Sequence, residues 1–242
     1  MRRLLRGTLA VIGLVLAVTA LLLSAQETSV ESAYRRLGEH MDERQDGGQT
    51  PKRDWNRILD ENNEAVGWIT VEGTAIDYPV VQPAYPTASD FYLSHDFWRR
   101  VDAAGCPYLD ERADIVGAHV MIFGHRLGPT NRMFGSLSGV WEQQAFKKVG
   151  AAHLETPNES LMFSPLCALK VDYGFTDIQH FGFDGDDDMR LWLSGLVQRA
   201  SAHNADAGAL LMKAKRVLTL VTCSSVRGGS SERTLMMFVS ED

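Results

Sequence analysis

The chain has 242 residues, 45% of them hydrophobic and 23% charged, enough apolar material for one packed domain with extensions. Its formal net charge is −7, with no basic block after the extreme N-terminus, which excludes the Lys/Arg-rich face a nucleic-acid binder needs. Three cysteines, Cys106, Cys167 and Cys223, are too few and too scattered for a disulfide framework or a zinc site.

In chain order, Arg2, Arg3 and Arg6 precede "GTLAVIGLVLAVTALLLSA", residues 7–25, a run without a charge. That is about the length needed to cross a bilayer, and the positive flank predicts a cytoplasmic N-terminus. The expected organisation is a cytoplasmic end at 1–6, a transmembrane signal anchor at 7–25, a membrane-proximal stalk at 26–53 and a folded domain at 54–242. The rival reading, a cleaved signal peptide, is weakened by Leu23 in "LSA", where a small residue is wanted. Either way the chain is exported. The polar stretch that follows predicts a surface helix over 30–44, ended by Gly47 and Gly48. Asp54 is a plausible N-cap for a helix over "WNRILDENNE", with Trp55, Ile58 and Leu59 on one face.

From Val66 the pattern turns to short β-branched and aromatic runs: "VGWITVEG", "AIDYPVVQ", "HVMIFGH", "SLMFSPLCALKVDYG", "RVLTLVTCS" and "RTLMMFVS". "MFGSLSGVWEQQAFKKV" predicts a short helix and "DDMRLWLSGLVQRASAH" a longer one, with Leu191, Leu193, Leu196 and Val197 as its apolar stripe. The acids of "DGDDD" lack the spacing of a calcium loop and suit a solvated helix N-terminus. Many short strands and few helices predict a mainly β protein, a closed or nearly closed barrel with helical insertions.

A thiol attacks a carbonyl only as thiolate and needs a neighbouring base or cation. Cys223 ends one apolar run and Arg233 begins the next, so a hairpin would set them side by side; Arg227, in the loop between, is the alternative arginine. Of seven histidines, His125 stands at a strand end that opens into a loop, where catalytic side chains are often presented. His119 reads as a partly exposed strand residue, and His40 and His203 as solvent-facing.

"TLVTC" with Arg233 ten residues on, "FGHRL" followed by "MFGSL", "VGWITVEGTAIDYPVVQ", "DFYLSHDF", "AGCPYLD" and the helix before "RVLTLVTC" resemble, in that order, the sortases, above all class B. Sortases are membrane-anchored cysteine transpeptidases of Gram-positive bacteria. The likeness runs over residues 55–239. It implies a closed sortase-type β-barrel of about eight strands, with His125, Cys223 and Arg233 as the catalytic set. It implies substrate contacts at Leu93, Thr222 and Ser224, a groove wall from the helix at 187–203, and neither metal nor cofactor. The implied partners are exported proteins bearing a C-terminal sorting motif, cleaved after a threonine through a thioacyl intermediate. The acceptor is an amine of a peptidoglycan precursor or of a pilin. The implied location is the plasma membrane, single-pass, with the catalytic domain outside. Ser224 and Ser225 depart from the acidic or aromatic residues common in class B, and "HRLGPTNRMF" lacks the asparagine that commonly follows the histidine. A thiol peptidase is disfavoured by chain order, since papain-like enzymes place Cys before His. A non-catalytic anchored binding barrel is the third possibility.

Overall fold

The computed structural model of the chain describes residues 2–39, 53–126, 131–223 and 231–242, with side chains for all of these except residues 2–11, 20–28 and 223. The chain divides into two compact units, Met1–Asp54 and Trp55–Asp242. In the first, α1 spans Arg2–Glu39. Residues 30–39 of the helix expected at 30–44 are its continuation; residues 40–44, His40 among them, and the glycine pair expected to end the helix lie outside the described residues. Among the described residues no helix is long and apolar enough to cross a membrane. Of the segment 7–25, only residues 12–19 have described side chains, and Ile12, Leu14, Val15, Leu16 and Val18 there are exposed.

The second unit begins with α2 (Trp55–Glu61), one residue after Asp54, with Trp55 and Ile58 buried. Then come β1 (Ala65–Val71), β2 (Asp77–Val81), β3 (Tyr108–Leu109), β4 (His119–Phe123), α3 (Gln143–Phe146), β5 (Ala152–Glu155), β6 (Ser160–Asp172), α4 (Asp186–Arg199), β7 (Ala202–His203), α5 (Ala207–Lys213), β8 (Arg216–Cys223) and β9 (Glu232–Ser240). The strands are ordered β5-β1-β2-β3-β4-β8-β9-β6, and β6 pairs back onto β5. Eight strands therefore close a barrel, which removes exposed sheet edges, while the two-residue β7 hangs from β6.

Most pairs are antiparallel, but β2–β3 and β4–β8 are parallel, the latter with Phe123 opposite Val221. Strands β4, β8 and β9 read as unbroken apolar runs because both their faces are covered. Val120, Ile122, Leu218, Leu220, Met236 and Phe238 are fully buried on one face. On the other, Met121, Val217, Val221, Leu235 and Met237 pack with Met189, Leu193 and Leu196 of α4. Each such α4 side chain contributes roughly 1.5–3 kcal/mol by leaving water. Leu191 is not part of that stripe: it is 74% exposed. Two positions before Leu193, it falls about 200° around the helix, whereas Met189, Leu193 and Leu196 share one face. Asp186, Asp187 and Asp188 occupy the first turn of α4, where they suit the helix dipole.

His119 also departs from expectation, since it is 1% exposed. Its Nδ1–H donates to the His180 carbonyl at 2.8 Å, and its Nε2 accepts from Thr219 Oγ1 at 2.8 Å. The ring stacks on Phe181 and lies against Trp192 of α4. Both nitrogens are thus satisfied in the neutral form, and burial pushes its pKa down to about 4 against the bond to His180. In the unfolded chain an ordinary histidine protonates near pH 6.5. The unfolded state therefore binds more protons between pH 6.5 and 4. This contribution is complete above about pH 6.5 and is lost as the pH falls towards 4. Urea unfolding should show a loss of about 2–3 kcal/mol from pH 7 to 4.5, from this group alone. His119→Gln should flatten that slope; an equal slope in the variant would assign the loss elsewhere.

Candidate active site

The parallel ladder of β4 and β8 sets the site. Past Phe123 and Val221 the pairing continues, with Gly124 N–H donating to the Val221 carbonyl at 3.0 Å. Two residues beyond each strand partner stand His125 and Cys223, so both positions come out at one rim of the barrel. On the far side of β8, Cys223 is directly opposite Arg233 in the antiparallel ladder with β9. Positions 125, 223 and 233 thus occupy neighbouring strand ends, as the hairpin expectation required for the last two. Gly124 is tightly enclosed: a Cβ there would lie 2.5 Å from the Phe134 ring. Phe134 is fully buried, and its N–H donates to the His125 carbonyl at 3.0 Å. That contact closes the loop after the histidine and fixes where it leaves the strand.

A cleft of about 490 Å³ opens at this rim. His125, Val221, Thr222 and Arg233 line it at the barrel end, with Leu93 on the facing turn. In β4, β8 and β9 its lining is mostly the odd-numbered positions, 121 and 123, 221, 233 and 235. Position 223 falls in the same odd register. The opposite wall is the end of β6, at 171 and 172, and the segment that follows it to residue 179, together with Arg112. The groove wall expected from the helix at 187–203 is therefore a correction: the segment leading into α4 supplies it, and α4 packs its buried face on the sheet. At that end Arg112 grips Asp110 with Nε at 2.8 Å and Nη2 at 2.7 Å, and its Nη1 donates to Gln179 Oε1 at 2.9 Å.

His125 Nε2 lies 2.8 Å from the Leu93 carbonyl oxygen. A carbonyl only accepts, so this bond places a proton on Nε2 and leaves Nδ1 as the nitrogen able to exchange one. Arg233 is half-buried, donates from Nη1 to the Glu232 carbonyl at 3.3 Å, and lies 5.1 Å over the Tyr173 ring. The ring and the carbonyl hold a planar guanidinium at the cleft floor. Tyr108, stacked on Phe123, also lines the cleft, and burial pushes its hydroxyl up to about 12, so it stays neutral.

Of the expected substrate contacts, Leu93 is 38% exposed and lines the cleft. Thr222 borders it but is 2% exposed, and its Oγ1 has no hydrogen-bond partner among the described residues. Ser224 and Arg227 lie outside the described residues. Cys106 and Cys167 are both buried, and no disulfide joins them. Burial pushes the Cys167 thiol up to about 12, far from the thiolate a nucleophile needs. Reading residue types did not find the Leu93 carbonyl as the partner of His125, because a backbone acceptor has no residue signature.

No family model matches the chain. Among curated proteins, sortase B of Staphylococcus aureus (strain NCTC 8325 / PS 47) is 27% identical over 182 residues, 73% of this chain and 70% of that protein. Sortase B of Listeria monocytogenes (serovar 1/2a) is 32% identical over a shorter stretch of 68 residues, 27% of this chain and 26% of that protein. In fold, sortase B of Bacillus anthracis in complex with AAEK1 matches with a TM-score of 0.71 at 20% identity, over 91% of this chain and 99% of that one. Clostridium perfringens sortase B matches with a TM-score of 0.66 at 21% identity, over 78% of this chain and all of that one. A Staphylococcus aureus sortase B–substrate complex gives 0.66 at 21% identity, over 89% of this chain and 93% of that one. Its sequence relatives and its closed barrel support kinship with the sortases, above all those of class B.

Proposed function

We propose that the chain is held at the membrane by residues 7–25 and joins exported proteins to an amine through a thioester on Cys223. The observation that carries this is the ladder geometry. The parallel pair β4–β8 and the antiparallel pair β8–β9 put positions 125, 223 and 233 at adjacent strand ends, beside a cleft of about 490 Å³. The exposed apolar side chains of residues 12–18 support anchoring, since bare apolar surface on a helix seeks a lipid or protein cover.

The reaction follows from these groups. His125 Nδ1 takes the thiol proton, and the Cys223 sulfur attacks the carbonyl of a threonine in a C-terminal sorting motif. A C–S bond forms and the carbonyl oxygen becomes an oxyanion, which Arg233 faces with its rigid fork of donors. As the C–N bond breaks, the imidazolium returns its proton to the leaving amine. The thioester then accepts an incoming amine, from a cell-wall precursor in the reading we favour, and the thiol is regenerated. The cleft asks for neither metal nor cofactor to complete these steps.

The test uses the purified full-length chain, sorting peptides of the Leu-Pro-x-Thr-Gly and Asn-Pro-x-Thr types, and mass spectrometry. A thioacyl adduct that is discharged faster as oligoglycine amine is added is the expected result. Discharge only by a pilin-derived lysine peptide would move the acceptor to pili. Discharge by water alone, indifferent to any amine, would make the enzyme a peptidase. No adduct with any peptide would leave an anchored binding barrel.

A further inference from the structure

The carbonyl that holds His125 belongs to Leu93, the last residue of the three-residue turn Phe91–Leu93. So short a turn is not stiffened by any regular element. What holds it is the side chain of its middle residue. Tyr92 is fully buried, and its hydroxyl donates to Glu64 Oε2 at 2.6 Å while accepting from Asn62 Nδ2 at 2.8 Å. Glu64, also buried, accepts from the Ala84 N–H at 3.0 Å and from Arg99 Nη1 at 2.5 Å. Burial alone would raise its carboxyl, but the bonds from Tyr92 and Ala84, with the Arg99 charge, outweigh that and hold it below the usual carboxylate range. The back of the turn is clamped as well. The Cys106 N–H donates to the Tyr92 carbonyl at 3.0 Å. Gly105, at φ +62°, lies so close that a Cβ would stand 2.2 Å from that carbonyl and 3.1 Å from the Leu93 carbonyl.

The thiol chemistry uses none of this. Leu93 lines the cleft, whereas Tyr92, Glu64, Asn62 and Arg99 do not. A carboxylate and a phenol buried together are costly unless every polar atom is matched, and here they are matched one residue away from the acceptor on His125.

We propose that Tyr92, seated on Glu64, is a positioning residue: it fixes the Leu93 carbonyl, which keeps a proton on His125 Nε2 and reserves Nδ1 for the thiol and the leaving amine. This rests on the reading of His125 as the acid–base. A misaimed carbonyl would let the ring turn over or populate the other tautomer, and a fraction of molecules would then hold the wrong nitrogen towards the reaction.

Tyr92→Phe keeps the ring, which packs edge-on against Phe91, and removes only the hydroxyl. In the full-length chain, the ¹⁵N spectrum of the His125 ring should show the Nε2–H tautomer in the parent and a mixture of tautomers in the variant. The kcat for peptide acylation should fall about tenfold with KM within twofold, because substrate binding is untouched. Glu64→Gln, of equal volume, should give the same pair of changes and serves if Tyr92→Phe is unstable. A lower melting temperature with an unmoved tautomer signal would make the network structural only and overturn the proposal, as would an unchanged kcat. If the parent acylates no peptide while the ring signal follows Tyr92→Phe, the transpeptidase reading fails and the positioning stands.

Discussion

Replacing Cys223 with alanine is expected to abolish thioacyl formation and to lower peptide turnover by at least about 10⁴-fold. The chain offers two other thiols, and neither can substitute. Cys167 sits in β6 among the side chains that pack under α4, with its thiol pushed up to about 12. Cys106 is buried behind the Phe91–Leu93 turn, its sulfur 3.7 Å from the Pro79 carbonyl oxygen. Position 223, by contrast, is the last residue of a strand, opposite Arg233 and one strand over from His125. Covalent catalysis replaces one hard amide exchange by two easier steps, so loss of the nucleophile removes both together. The check is mass spectrometry of the chain with a sorting peptide and no amine. The parent should gain the acyl mass at the peptide containing Cys223, and Cys223→Ala should gain none. An adduct that survives in Cys223→Ala would remove this residue from the mechanism. Brief alkylation of the folded chain at neutral pH should likewise stop at one modification, because the other two thiols are buried.

The elements that build the site were legible for a physical reason. Strands β4, β8 and β9 are covered on both faces, so their sequences are unbroken β-branched and apolar runs that no helix stripe imitates. Their ends were legible too, since a residue with chemistry bounds each run: His125 and Cys223 after β4 and at the end of β8, Arg233 at the start of β9. What pattern could not supply was pairing over long separation. The parallel alignment of β4 with β8 joins segments about a hundred residues apart in the chain, and nothing local to either encodes it. Short elements escaped for a related reason. The four residues of β5 and the seven of α5 are too brief for periodicity to show. His119 was misplaced because a histidine in an apolar run says nothing of its partners; Thr219 and the His180 carbonyl, both distant in sequence, are what allow it inside. The same holds for Leu93, whose contribution is a backbone oxygen, and for the Tyr92–Glu64 bond, which spans 28 positions. Side-chain chemistry was readable residue by residue; the groups that aim it were not.

His125→Gln should cost about 10³-fold in kcat with an amide peptide, near the middle of what positioned acid–base groups contribute. Glutamine can still donate towards the Leu93 carbonyl, so the variant keeps the tether and loses only the titrating nitrogen. Two steps suffer at once. The thiol has no group to receive its proton, and the departing amine has none to supply one. An amine is a far worse leaving group than a phenol, so the second loss depends on the substrate and the first does not. With an activated phenyl ester of the same peptide, whose leaving group needs no proton, the penalty should shrink at least tenfold below that for the amide. That ratio of ratios separates the two roles. An equal penalty for amide and ester would restrict His125 to activating Cys223 and pass protonation of the amine to another group. A penalty below tenfold with the amide would remove His125 from proton transfer altogether, leaving the Leu93 bond as a structural contact at the rim of the barrel.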